Sequence, residues 1–269
     1  MKTIEFSKMS GAGNDFVVID NRSNILKKDL EKLAAKLSDR KRSIGADGLI
    51  LLEKSKKADL KMRIFNSDGS EAEMCGNGVR CLAKFSADKK ITGPKLSIET
   101  LAGIIYTEVR GEIVRAKMVD PKDFKPTFEV GVNGHSQELN YINTGVPHAV
   151  KFVRSVAGCD VAGLGRTIRR HKHFAPRGTN VNFVALKTGN AIDIRTYERG
   201  VEDETLACGT GSTAGALVAA AVKNLKSPVR VHTRGGEILK IYFLKDRAGF
   251  HEVYLEGRIE KKFEGRVGL

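Results

Sequence analysis

The sequence predicts a strand-rich mixed chain of two like lobes. Three observations lead there. Short β-like runs dominate its 269 residues, only a few segments carry helical periodicity, and one pattern occurs twice. The pattern is a strand with Arg-x-aromatic, then an acidic loop, then Cys-Gly-x-Gly opening an apolar helix. It reads "LKMRIFNSDGSEAEMCGNG" in the first half and "IDIRTYERGVEDETLACGTG" in the second. Internal duplication is the simplest account. "GNDFVVID" and "TNVNFVAL" read as a further matching pair ahead of the two copies.

The elements follow in order. In the first half "TIEFSKM", "DFVVIDN", "GLILLE", "LKMRIFN", "KLSIETLAGIIYTEV" and "IVRAKMVD" read as strands. In the second, "ELNYINTG", "HAVKFV", "VNFVALK", "AIDIRTYER", "VRVHTRGGEILKIYF" and "FHEVYLEGRIEKKF" do. The main helices are expected at Gly76–Ala87 and Gly209–Leu225, with an amphipathic surface helix in "KKDLEKLAAKLSDR" and a fourth in "AGCDVAGLGRTIRRH". "VDPKDFKPTFEV" holds two of the six prolines and reads as the linker. The lobes are therefore placed at 1–122 and 123–257, with residues 258–269 returning to the first.

Composition bounds the function. Hydrophobic residues make up 41% and charged residues 29%, which suits a packed core. No apolar run is long enough to span a bilayer, and the N-terminus reads as a strand rather than a targeting segment, so the expected location is the cytoplasm. The four cysteines show no C-x-x-C pair and no zinc spacing, so no metal is expected. The net charge of +14 raises nucleic acid as a partner. Against it, Lys and Arg are scattered, aromatics are only 6%, and no nucleic-acid motif is present. The basic surface is instead read as steering a substrate with two carboxylates or as reflecting the organism. "GTGSTA" fits a dinucleotide loop loosely, but no parallel βαβ pattern surrounds it.

Cys75 and Cys208 are where chemistry is expected. A helix N-terminus offers bare N–H donors and partial positive charge, so it favours a thiolate and binds a carboxylate. Two such mouths suit inversion of a stereocentre: one thiolate removes an α-proton while the other thiol returns one. A thiol hydrolase with His148 as partner is the alternative. Cys81 and Cys159 read as small buried hydrophobes.

Over nearly its whole length the chain resembles the diaminopimelate epimerase family. The resemblance rests on "FSKMSGAGNDFVVID", "IFNSDGSEAEMCGNGVRC", "GVPHAV", "RGTNVNFV" and "TYERGVEDETLACGTGSTA". It implies an α+β fold of two pseudo-symmetric lobes, each a mixed, mostly antiparallel sheet curled around a central helix, with the active site in the cleft between them. It implies interconversion of LL- and meso-2,6-diaminopimelate in lysine and peptidoglycan synthesis, without pyridoxal phosphate or any other cofactor, and a possible homodimer. Cys75 and Cys208 are then the acid–base pair. Backbone N–H groups of Gly76, Asn77, Gly209 and Thr210 hold the reacting carboxylate. Asn14, Asn66, Asn180 and Arg199 read the distal end, Glu198 takes an ammonium, and His148 lies beside the cysteines. Proline racemases and hydroxyproline epimerases share the two-cysteine plan, but their first site usually reads Cys-Gly-His. Two departures stand out: Val146 where many members have Asn, and Gly48 where many have Gln.

Overall fold

The computed structural model describes residues 3–268. The chain divides into two compact units, one of Met1–Lys117 with Gly257–Leu269 and one of Met118–Glu256.

In the first unit β1 (Thr3–Gly11) runs antiparallel to β2 (Asn14–Asp20). A crossover through α1 (Leu30–Ser38) places β3 (Gly48–Glu53) parallel to β2. Next come β4 (Leu60–Asn66) and the two-residue β5 (Glu71–Ala72), each antiparallel to its predecessor. The central helix α2 (Gly76–Asp88) then leads to β6 (Lys95–Thr100), parallel to β4, and to the meander of β7 (Gly103–Arg110) and β8 (Ile113–Lys117).

The second unit repeats this order. It opens with β9 (Lys122–Val132) antiparallel to β10 (His135–Asn143), which is antiparallel to β11 (Pro147–Phe152). α3 (Val161–Arg169) crosses over to β12 (Asn180–Lys187), parallel to β11. β13 (Ala191–Glu198) and β14 (Asp203–Thr205) follow antiparallel, then the central helix α4 (Gly209–Val222). β15 (Val229–His232) is parallel to β13, and β16 (Ile238–Asp246) and β17 (Gly249–Arg258) complete the meander. The last strand, β18 (Glu260–Gly268), pairs antiparallel with β1; Leu269 lies outside the described residues.

The packing explains why β3 is apolar throughout. Ile50 and Leu52 face the α2 side with Val79, Leu82 and Phe85, while Leu49 and Leu51 face α1 with Leu30 and Leu37. A strand covered on both faces loses the in–out alternation. α4 is more deeply enclosed still: every residue from Gly211 to Ala220 is buried, as suits a helix of small and apolar residues all round. Its last turn ends at Val222, and Asn224 in the left-handed region (φ 59°) stops it before Leu225.

Two expectations are corrected. Most of the segment read as a linker is β9, eleven residues long, with Pro126 at a break in the β9–β10 register, where its missing N–H costs no regular ladder bond. The repeat pairing also shifts. "DFVVID" is β2 and "TNVNFVAL" is β12, but β2 precedes its crossover helix and β12 follows one. By topology β2 matches β11 and β3 matches β12.

Candidate active site

Both central helices open the same way. Cys75 is the N-cap of α2 in extended backbone (φ −140°, ψ 120°), and its Sγ accepts the Gly78 N–H at 3.4 Å. Cys208 caps α4 (φ −124°, ψ 116°), and its Sγ accepts the Gly211 N–H at 3.4 Å. Each sulfur thus takes the place of a capping hydroxyl or carboxylate. Helix geometry leaves the N–H groups of Gly76, Asn77, Gly209 and Thr210 without an intrahelical carbonyl. Cys208 is buried and Cys75 half-buried. Cys208 Sγ also lies 3.4 Å from Thr210 Oγ1, and Thr144 Oγ1 donates to the Thr210 carbonyl at 3.0 Å.

The glycines at the helix mouths do not all have the same surroundings. A Cβ at Gly76 would meet nothing within 4 Å, so no protein atom demands glycine there. A Cβ at Gly78 would come within 2.8 Å of Ile64 Cδ1, and one at Gly211 within 2.5 Å of Asn182 Oδ1. The second glycine of each mouth lets the helix start against its sheet; at the α2 mouth the first, Gly76, leaves open space at the helix entrance.

In the first unit, Asn14, Asn77 and Cys75 come together. Asn77 Nδ2 donates to Asn14 Oδ1 at 2.8 Å, and Asn14 Nδ2 donates to Asp47 Oδ2 at 3.0 Å. Asp47 is held by Arg40 at 2.7 Å, which also grips Asp15 at 2.7 Å. Burial alone would raise the Asp15 carboxyl, but Arg40 and Lys8 hold it down at about 2. Asn66 stands apart from this group. It is exposed at the end of β4 and bonds Ser70 Oγ at 2.9 Å. Gly48 has a backbone reason: a Cβ there would lie 2.4 Å from the Phe65 carbonyl oxygen.

In the second unit His148 is fully buried. Its Nδ1 faces Asn182 Nδ2 at 3.1 Å; an amide nitrogen only donates, so Nδ1 accepts and the proton sits on Nε2. Nε2 has no hydrogen-bond partner among the described residues. Burial, helped by the charge of Arg199, drops the His148 pKa to about 3, so the ring is neutral at physiological pH. Asn180 spends both ends of its amide on backbone: Nδ2 donates to the Pro147 carbonyl at 3.0 Å and Oδ1 accepts the Arg199 N–H at 2.8 Å. It fixes where Arg199 leaves β13. Burial pushes the neighbouring Glu198 carboxyl up.

The repeated acidic loops also find partners. Arg63 of β4 grips Glu71 of β5, with Nε–Oε1 at 2.7 Å, and Arg195 of β13 grips Glu204 of β14 at 2.6 Å. Both pairs are two-point contacts, which orient as well as attract.

Four site-forming residues escaped sequence reasoning: Asp47, Thr144, Asn182 and Arg80. Arg80 is fully buried. A cation five residues after Cys75, one helical turn on from Gly76 and Asn77, is the signal that could have found it.

The diaminopimelate epimerase family model matches residues 6–122 and 140–260. The diaminopimelate epimerase of Aquifex aeolicus is 47% identical, over 98% of this chain and 98% of that one. That of Methanocella arvoryzae is 43% identical over 100% and 98%. The chain belongs to the diaminopimelate epimerase family. Its fold extends to more distant structures. A phenazine biosynthesis protein of the PhzF family from Bacillus anthracis superposes with a TM-score of 0.78 at 18% identity, covering 100% of each chain. A hydroxyproline epimerase from Agrobacterium vitis gives 0.68 at 15% identity, over 99% of this chain and 93% of that one. No helix among the described residues is long and apolar enough to cross a membrane.

Proposed function

We propose that this chain is an isomerase that interconverts LL- and meso-2,6-diaminopimelate in lysine biosynthesis by a two-base mechanism, with Cys75 and Cys208 as the acid–base pair. One thiolate takes the α-proton, breaking C–H and forming S–H, and the electron pair delocalises into the adjacent carboxylate. The other thiol then protonates the opposite face and is left as thiolate, so the roles exchange for the reverse direction. Developing charge on the carboxylate is met by N–H groups of Gly76, Asn77, Gly209 and Thr210, which need no reorganisation because helix geometry already aims them. Glu198, kept less acidic by burial, suits the substrate ammonium. Arg199, held by Asn180, suits the distal carboxylate. Asn14 and Asn66 complete the polar contacts, and neutral His148 serves as a hydrogen-bond donor from Nε2. Val146 offers that distal end no side-chain hydrogen bond, so recognition there falls to the others.

The observation that carries this reading is the repetition of one device: a cysteine N-cap whose sulfur accepts the N–H three residues on, at the head of the central helix of each unit. The test is proton exchange. Purified, reduced protein is incubated with LL-diaminopimelate in deuterium oxide without added cofactor, and α-deuteration is followed by mass spectrometry with chiral separation. Deuterated meso product is expected from the wild type and none from Cys75→Ala or Cys208→Ala. Exchange of proline or hydroxyproline instead would keep the cysteine chemistry and move the substrate. Full turnover by either alanine variant would overturn the two-base assignment.

A further inference from the structure

The two helix mouths are alike in backbone and unlike in side chains: Asn77, Val79 and Arg80 stand in α2 where α4 has Thr210, Ser212 and Thr213. Five residues after Cys75 stands Arg80; five residues after Cys208 stands Thr213. Both are fully buried. Helical side chains lean toward the N-terminus, so each reaches back over the first turn. Arg80 Nε donates to the Gly76 carbonyl at 3.1 Å, and Thr213 Oγ1 donates to the equivalent Gly209 carbonyl at 3.0 Å. There the likeness ends. Arg80 Nη2 also donates to Asn77 Oδ1 at 2.6 Å. That charge-assisted bond decides which end of the Asn77 amide faces which way, because guanidinium can only donate. With Oδ1 committed to Arg80, Asn77 must present Nδ2 to Asn14 Oδ1 at 2.8 Å and to the Ala12 carbonyl at 3.4 Å. Asn14, with Oδ1 so occupied, turns Nδ2 to Asp47 at 3.0 Å. Every amide in the chain is set by its neighbours, with the donor-only Arg80 anchoring one end and the acceptor-only carboxylate of Asp47 the other.

We propose that Arg80 is a positioning residue. Acting through Asn77, it locks the Asn14 amide and the Gly76–Asn77 turn at the Cys75 mouth into the one orientation that receives substrate. This rests on the function proposed above. A flipped Asn14 amide would turn a carbonyl oxygen where a donor stands, which repels a carboxylate. Small misplacements at such a site cost about 10- to 100-fold in rate. The α4 mouth has no such relay, since Thr213 has no second donor to spend.

The test is a double-mutant cycle on the full chain between Arg80→Met, which keeps the length of the stem without donors or charge, and Asn14→Ala. Arg80→Met is expected to lower kcat/KM between about 10- and 100-fold in the parent, and less than about threefold in the Asn14→Ala background, because the relay is already cut. Equal losses in both backgrounds would overturn the proposal, as would full kcat/KM with only a lower melting temperature. Arg80→Lys retains one donor to Asn77 and is expected to recover part of the loss; it replaces Arg80→Met in the cycle if that variant does not fold. A second readout needs no substrate. The side-chain amide signals of Asn14, identified by their loss in Asn14→Ala, are expected to move in the spectrum of ¹⁵N-labelled Arg80→Met. If they move while the wild type fails to exchange diaminopimelate, the relay stands and the proposed substrate falls. If they stay in place, the relay is wrong whatever the substrate.

Discussion

At the residue scale, the burial of His148 has a consequence for stability. Its pKa falls from 6.5 to about 3 on folding, because desolvation penalises the charged ring. The unfolded chain takes up a proton below pH 6.5 that the folded chain refuses until about pH 3. Stability is therefore lost as pH falls through that window, by about 1.4 kcal/mol per pH unit for one proton. Asp15 acts lower: its folded pKa of about 2 against 3.8 means its contribution is lost only as pH falls below 3.8. Urea unfolding of the wild type and His148→Gln at pH 4.5 and 7 separates the two. The variant is expected to lose less stability on acidification; equal losses would show that the ring is protonated in the fold. This buried neutral state could not be read from "GVPHAV", since burial belongs to the fold and not to a hexapeptide. The cysteines could be read, because a Cys before Gly-x-Gly and an apolar run carries its own local geometry. Asn180 shows the middle case. The family resemblance marks it for the distal end of the substrate, but only the tertiary structure shows both ends of its amide tied to backbone.

At the element scale, Gly76 and Gly211 separate packing from binding. Gly76→Ala adds a methyl into open space at a helical position, so stability should stay within about 0.5 kcal/mol of the parent. Turnover should still fall, because the methyl stands over the N–H donors. Gly211→Ala meets Asn182 Oδ1 at 2.5 Å. Asn182 cannot swing away cheaply: it is bonded to His148, the Ala149 carbonyl and Thr196. A loss of about 1–3 kcal/mol is expected there. Thermal melts with initial rates decide the matter, and the opposite pattern would show that the first glycine is the structural one. The strands that could be read were those with strong apolar runs between turn residues. β9 was missed because its exposed, proline-containing first half lacks alternation; its hairpin with β10 across Asn133 and Gly134 makes it a strand. β5 and β14 are too short for any periodicity; their ladders are secured by the Arg63–Glu71 and Arg195–Glu204 pairs.

At the scale of the whole molecule, duplication was legible as a repeated string, and strand order gives it its proper register. The crossover helices α1 and α3 displace the alignment by one strand, and only the sheet pairing shows this. The net charge of +14 invites a steering role, yet the proposed substrate weighs against one. Diaminopimelate carries two carboxylates and two ammonium groups, so its net charge near pH 7 is zero, and a protein field pulls on net charge at long range. In the site proposed above its carboxylates are expected to meet N–H donors and Arg199 at contact distance, where salt screens little. Raising salt from about 50 to 300 mM, which shortens the screening length to well under 10 Å, is therefore expected to change kcat/KM less than about twofold. A steep fall with salt would mean that the productive ligand is an anion drawn in by the basic surface, and the zwitterionic substrate proposed here would have to be given up.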